Sequence, residues 1–280
     1  MNLLDVILLG IVQGLTEFLP VSSSGHLVAA KTVLNVGSKG VLLEVSLHFG
    51  TLLAILVVFR RDLATLAGDG WAGMKLLLSG QWGEIEAQAP AFYTCVALGI
   101  GTIPAALAGT LLEGYIKPLF AGRLTACGGF LLLTGLLLVT TRYATRPKSS
   151  RAGAIKGLGV GLAQALALLP GVSRSGVTIA AGLHLGLERE TAARFAFLLA
   201  VPALLGAQGW ELIGGAGTGL SAGSWLILAL GTGTAALVGV LALLVLMPLV
   251  RRGKLHLFAF YCIPAGLVMI SLGLLGWGAG

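Results

Sequence analysis

Apolar residues run along this chain in long blocks, without the alternation of half-buried strands or the one-faced periodicity of soluble helices. Blocks near the ~20 residues needed to cross a bilayer lie at 44–60, 92–112, 121–141, 192–213, 225–250 and 256–277, the first being short for a full crossing. Two further apolar regions, 3–35 and 154–187, are each interrupted by a Pro/Ser/Gly cluster, LPVSSSGH (19–26) and LPGVSRSG (169–176). The arms beside each cluster are too short to span alone, so the pattern predicts re-entrant helical hairpins that enter and leave on one side. The expected fold is an all-α polytopic membrane protein with six full spans and two hairpins. Between the first two spans, the stretch 61–91, with Trp71, Lys75 and Trp82, reads as an interfacial helix without chemistry of its own.

Composition agrees. The 280 residues are 56% hydrophobic and only 10% charged, where a soluble domain has about 25% charged residues. The start, MNLLDVILLG, lacks the basic region and cleavage site of a signal peptide. Cys95, Cys127 and Cys262 each sit inside an apolar run and read as packing residues. The net charge of +7 invites a nucleic-acid reading, but its distribution is that of a membrane protein. If the first hairpin returns to its own side, Arg60, Arg61, Lys75, Arg142, Arg146, Lys148, Arg151, Lys156, Arg189, Arg194, Arg251, Arg252 and Lys254 share one face of the membrane. Lys31, Lys39, Lys117 and Arg123 share the other. The positive-inside rule puts the first group in the cytoplasm, and both termini and the first hairpin outside.

The halves resemble each other. Placing Gln13 on Gln164 also pairs Ser24 with Ser175, Gly25 with Gly176, Ala29 with Ala180 and Ala30 with Ala181. A second displacement pairs GTIPAALAG (101–109) with GTGTAALVG (231–239). Each half then reads as a hairpin plus three spans, the first repeat 1–141, a connector 142–153 and the second repeat 154–280. Three spans is an odd number, so the second copy is inverted. Inverted repeats with broken helices place their sites near the midplane, where the breaks meet, which would bring SSSGH and SRSG together.

The clusters hold the candidate chemistry. Arg174 near the bilayer centre costs at least ~2.5 kcal/mol on insertion scales, a cost that an anion site explains. Gly171, Ser173, Ser175 and Gly176 around it, with a helix expected from about 177, describe a phosphate cradle. In the first cluster Pro20 ends a helix at Leu19, and Ser22, Ser23 and Ser24 are natural caps for the next one. Glu17 needs a partner, a proton or a cation if it lies in the membrane, and Gln13 shares its helix face. Glu17, a serine and His26 supply the residue types of an activated nucleophile, and Arg174 supplies charge stabilisation for phosphoryl transfer. The substrate so described has an anionic head and a greasy tail. His48 and His256 read as structural or interfacial.

QGLTEFLPVSSSGHL (13–27) and PGVSRSG (170–176), followed by FAFLLAVP (195–202), resemble the signatures of the bacterial undecaprenyl-diphosphate phosphatases, the family linked to bacitracin resistance. The resemblance runs over essentially the whole chain. It implies removal of the terminal phosphate of undecaprenyl pyrophosphate, which recycles the lipid carrier of peptidoglycan synthesis, at a site in the bacterial inner membrane open toward the periplasmic or outer face. It implies a divalent cation, Mg²⁺ or Ca²⁺. Glu17 matches the family's second acid, Ser23 a proposed nucleophile, His26 a proposed base or nucleophile, and Arg174 the phosphate-binding arginine. Where many members carry glutamate this chain has Gln13, which cannot act as a base but can ligate a cation with Glu17. The phosphatidic acid phosphatases of type 2 share SGH, but Ala180 stands where their second motif needs histidine. The rival reading is a lipid-phosphate transporter or flippase, since inverted repeats are also transporter architecture; a carrier needs Arg174 but not Glu, Ser and His together. A scaffold role leaves Glu17 and Arg174 without a use. The sequence leaves the oligomeric state open, a homodimer included, and gives no reason to expect a nucleic-acid partner.

Overall fold

The computed structural model describes residues 2–34, 36, 41–120, 123–144, 149–213 and 222–277. Lys39, Arg146 and Lys148, named above for their charge, lie outside the described residues, as does the side chain of Lys117. The described residues form α1 (Leu3–Phe18), α2 (Ser23–Val33), α3 (Val41–Val58), α4 (Arg60–Leu78), the single turn α5 (Ile85–Gln88), α6 (Phe92–Phe120), α7 (Leu124–Thr140), α8 (Ala154–Leu166), α9 (Arg174–His184), α10 (Arg189–Ile213), α11 (Ala222–Arg251) and α12 (Ala259–Leu274). Among the described residues, five stretches are long and apolar enough to cross a membrane: Phe92–Leu112, Leu124–Tyr143, Arg189–Glu211, Gly223–Arg251 and Leu255–Leu274. The pair α3 and α4, bent by 75°, makes a sixth when taken as one span. After that bend, α4 carries Trp71 and Leu78 outward, as a helix lying at the bilayer surface would.

Both interrupted regions are helix–break–helix units. Pro20 stops α1, whose last carbonyls end at the extended Leu19, and α2 starts three residues later behind the N-cap Ser22. In the second unit α9 begins at Arg174 behind the N-cap Ser173, three residues earlier than the sequence suggested. The earlier start follows from capping: the Ser173 hydroxyl takes the Gly176 N–H and so closes the first turn at the arginine itself.

The first arm of each hairpin packs on a helix of the opposite half, α1 on α11 and α8 on α6. Small residues permit this approach. A Cβ on Gly10 would stand 2.9 Å from the Gly231 carbonyl oxygen, and one on Gly161 would stand 2.1 Å from that of Gly101. Gly10 and Gly161 are partners under the first displacement of the sequence on itself, Gly101 and Gly231 under the second, so the two contacts are the same contact made twice. Helices α7 and α12 pack together at Gly128 and Gly266 and stand behind both breaks. Cys127 on α7 touches Gly171, and the Cys262 thiol on α12 donates to the Pro20 carbonyl at 3.2 Å. At one end of the bundle, Arg194 joins Asp62 and Glu190, and Arg251 also reaches Glu190, which ties α4, α10 and α11 together.

Gly171 has φ +106°, and a Cβ there would lie 2.3 Å from the Cys127 carbonyl oxygen. Gly171→Ala combines a left-handed strain of about 1–2 kcal/mol with a collision against backbone that cannot swing away. The expected result is a lower thermal unfolding temperature in detergent and a loss of activity, whereas Gly153→Ala, where a Cβ meets open space, leaves both unchanged.

Candidate active site between the hairpin breaks

Glu17 lies on the last turn of α1, one turn after Gln13, and both side chains are buried. Gln13 Nε2 donates to Glu17 Oε2 at 3.0 Å. Ser23, the first residue of α2, donates its hydroxyl to the same oxygen at 2.6 Å. The other oxygen, Oε1, accepts from Arg174 across the interface between the hairpins. One carboxylate thus gathers an amide, a hydroxyl and a guanidinium from three helices. In apolar surroundings such a group is tolerable only because each oxygen is paired.

The breaks are stitched by backbone as well. Ser24 Oγ accepts from the Gly171 N–H at 3.1 Å, and Ser175 Oγ donates to the Leu19 carbonyl at 3.4 Å. Ser22 stands at φ +69°, the one described non-glycine residue with a left-handed backbone. Its carbonyl accepts from His26 Nδ1 at 2.7 Å, which fixes the proton on that nitrogen. His26 Nε2 is then the acceptor for the Tyr261 hydroxyl at 2.7 Å, and the two rings stack with centroids 5.6 Å apart.

All the residues named from sequence lie at this junction, but their hydroxyls differ in availability. Ser22 and Ser173 are buried N-caps, and Ser175 is buried against Leu19. Gly171 N–H is taken by Ser24. Ser23, Ser24 and Arg174 keep partial or full exposure. The cradle around Arg174 therefore divides into Ser22, Ser173, Ser175, Gly171 and Gly176, which shape the breaks, and the groups that face outward.

Two residues join the site that the sequence reading left outside it. His48 Nε2 on α3 lies 3.8 Å from Glu17 Oε2, so its reading as a structural or interfacial histidine is corrected. A signal existed: Glu44, His48 and Thr51 follow helical spacing along an otherwise apolar span. Tyr261 had no such signal, being one aromatic residue on an apolar helix. His184 bonds Thr140, and His256 Nδ1 faces the Gly253 carbonyl.

Among the described residues no group of three His, Cys, Asp or Glu side chains is placed to hold a metal. The oxygen donors that remain are Glu17 and Gln13, whose Oε1 is buried without a hydrogen-bond partner. Two protein oxygens are the sparse ligation that a hard divalent cation keeping waters among its ligands would need.

Helical spans, paired broken hairpins and a serine, carboxylate and arginine converging between them define an integral membrane protein with a phosphoryl-transfer type of centre. Residues 6–268 match the family described as Bacitracin resistance protein BacA. The undecaprenyl-diphosphatase of Desulfosudis oleivorans is 42% identical over 273 residues, covering 96% of this chain and 97% of that protein. Those of Geobacter sulfurreducens and Korarchaeum cryptofilum are 41% identical over 269 residues and 39% over 275, covering 95% and 97% of this chain and 96% and 100% of their own. The chain belongs to this family.

Tyr261→Phe keeps the ring stack and removes one hydrogen bond. The expected cost is about fivefold in kcat, roughly the worth of one neutral hydrogen bond, with KM unchanged because Tyr261 reaches the Ser22–Ser23 turn through His26. A KM effect alone would contradict that placement.

Proposed function

We propose that this chain hydrolyses undecaprenyl pyrophosphate to undecaprenyl phosphate and phosphate. The observation that carries the reading is the Ser23 hydroxyl donating at 2.6 Å to Glu17 while Arg174 holds the other carboxylate oxygen. A bound anion needs none of this beyond the arginine; a nucleophile needs a base within reach of its proton, which Glu17 supplies.

The pyrophosphate enters with its tail among the apolar helices and its terminal phosphate at the first turns of α2 and α9, whose free N–H groups favour negative charge. The phosphate draws the Arg174 guanidinium toward itself, since the fork has more donors than Glu17 uses. Glu17 then takes the Ser23 proton as Oγ attacks the terminal phosphorus. The O–P bond to Ser23 forms, the bridging P–O bond breaks, and undecaprenyl phosphate leaves with the electron pair. Glu17 passes the Ser23 proton to the departing undecaprenyl phosphate. A water then attacks the phosphoserine and gives its proton to the freed Glu17 carboxylate. The Ser23 oxygen leaves phosphorus with the bonding pair and takes that proton back from Glu17. His26 has both ring nitrogens engaged, by the Ser22 carbonyl and Tyr261. Its part is to hold the left-handed Ser22 turn that aims Ser23, and Glu17 is the base. A divalent cation, Mg²⁺ or Ca²⁺, would be held by Glu17 and Gln13 Oε1 and would neutralise charge on the phosphate oxygens.

The positive-inside distribution supports placement in the inner membrane with both termini outside and the junction open to the periplasmic face. The repeated glycine contact of α1 on α11 and α8 on α6 supports the inverted repeat.

The test is phosphate release by purified protein in detergent, with lipid pyrophosphate or inorganic pyrophosphate, and with Mg²⁺, Ca²⁺ or chelator. Release from the lipid substrate well above that from inorganic pyrophosphate is expected. No release by folded protein that still binds the lipid would sink the reading. For the cation, Gln13→Glu adds a second carboxylate and should lower the half-saturating Mg²⁺ concentration, while Gln13→Ala should raise it. An unchanged Mg²⁺ dependence in both would remove Gln13 from the ligand set.

A further inference from the structure

A second polar site lies away from the hairpin breaks, at the end of the bundle where α4, α6 and α10 begin. It is a cavity of about 350 Å³ whose charged lining is Arg61, Asp62, Arg151 and Arg194. Ion pairs with Asp62, Glu86 and Glu190 occupy two of its three guanidinium groups. Arg194 is committed to Asp62 and Glu190, and Arg151 reaches Glu86 at 2.6 Å. Arg61 has no ion-pair partner among the described residues and stands exposed at the rim. The hydroxyls of Thr65, Thr94 and Ser150 also line the cavity and make no side-chain hydrogen bond among the described residues. Thr191, in the opening turn of the 25-residue α10, adds the positive end of a helix dipole. Phe195 and Leu198 form an apolar wall.

Unspent hydroxyl donors, the uncommitted Arg61 guanidinium and a helix N-terminus around one cavity are groups suited to phosphate recognition. We infer that this cavity binds a phosphate group, separate from the one processed at Ser23. The neighbouring α4, with Trp71 and Lys75 at the surface, places it at the depth of lipid headgroups. A phospholipid headgroup and free inorganic phosphate share this chemistry, and the experiment separates them.

The measurements use Arg174→Ala protein, so that the anion site between the hairpins is disabled throughout. One arm records the lipids retained in native mass spectrometry after release from nanodiscs of equal phosphatidylglycerol and phosphatidylcholine. The other records thermal unfolding in detergent with added inorganic phosphate. Retention of phosphatidylglycerol over phosphatidylcholine is expected, falling roughly tenfold or more when Arg61→Gln and Arg151→Gln are added, as befits two basic side chains near an anionic headgroup. A phosphate-dependent rise in unfolding temperature without lipid preference, abolished by the same changes, would assign the cavity to free phosphate. Thr94→Phe fills the cavity and keeps every arginine. It must abolish binding too, and it decides the matter alone if the arginine variant does not fold. Binding that survives Thr94→Phe, or no binding in either arm, overturns the inference.

Discussion

Arg174→Ala is expected to lower kcat/KM by about a thousandfold, the upper range for losing one preorganised donor to transition-state charge. Most of this falls in kcat, because the terminal phosphate carries its greatest charge demand during transfer. The substitution has a second consequence. Arg174 is the cation bonded to a carboxylate whose side chain is 5% exposed. Removing it strands Glu17 in apolar surroundings, which costs about 3–5 kcal/mol when one partner of a buried pair is deleted. The two effects separate cleanly. Adding Glu17→Gln to Arg174→Ala removes the orphaned charge and should restore the unfolding temperature without restoring turnover. Wild-type turnover by folded Arg174→Ala protein would show that Arg174 serves the fold and not the phosphate.

Ser23→Ala is expected to reduce phosphate release to background, a loss of a thousandfold or more for a group acting as nucleophile. Glu17→Gln should fall as far, because it takes away the proton acceptor. The test is their combination. If Ser23 and Glu17 act as one unit, the double variant is no worse than either single one, since each alone already abolishes the step. Additive losses would assign them independent roles. Rapid quenching of wild-type turnover should trap phosphate on Ser23, and trapping on His26 would reverse the assignment. The geometry favours serine because His26 has no ring nitrogen left over once the Ser22 carbonyl and Tyr261 are served.

The hairpins were legible because proline and serine act locally. Pro20 cannot continue a helix, Ser22 and Ser173 can begin one, and these effects hold in any tertiary setting. The Glu17–Arg174 pairing was legible in outline, since two opposite charges in greasy sequence need each other. What the sequence reading lacked depended on approach between helices. His48 becomes part of the site only because α3 packs on α1, and Tyr261 only because α12 lies behind Pro20. A single polar residue on an apolar helix carries no record of which neighbour it meets. The division of the serines was equally hidden: Ser22, Ser23 and Ser24 are chemically identical, and a single left-handed φ at Ser22 makes the first a cap, the second a donor to Glu17 and the third a staple to Gly171.

The crossed glycine contacts bear on how the chain is made. Helix α1 leaves the ribosome about two hundred residues before the surface it packs on, at Gly231 of α11. Helix α8, by contrast, finds Gly101 already synthesised. The N-terminal hairpin therefore lacks its α11 surface until late in insertion, and until α9 has followed, Glu17 has only the local donors Gln13 and Ser23. Acquisition of the native centre is a late event in biogenesis, and a chain truncated before α11 lacks the main surface on which its first helix packs.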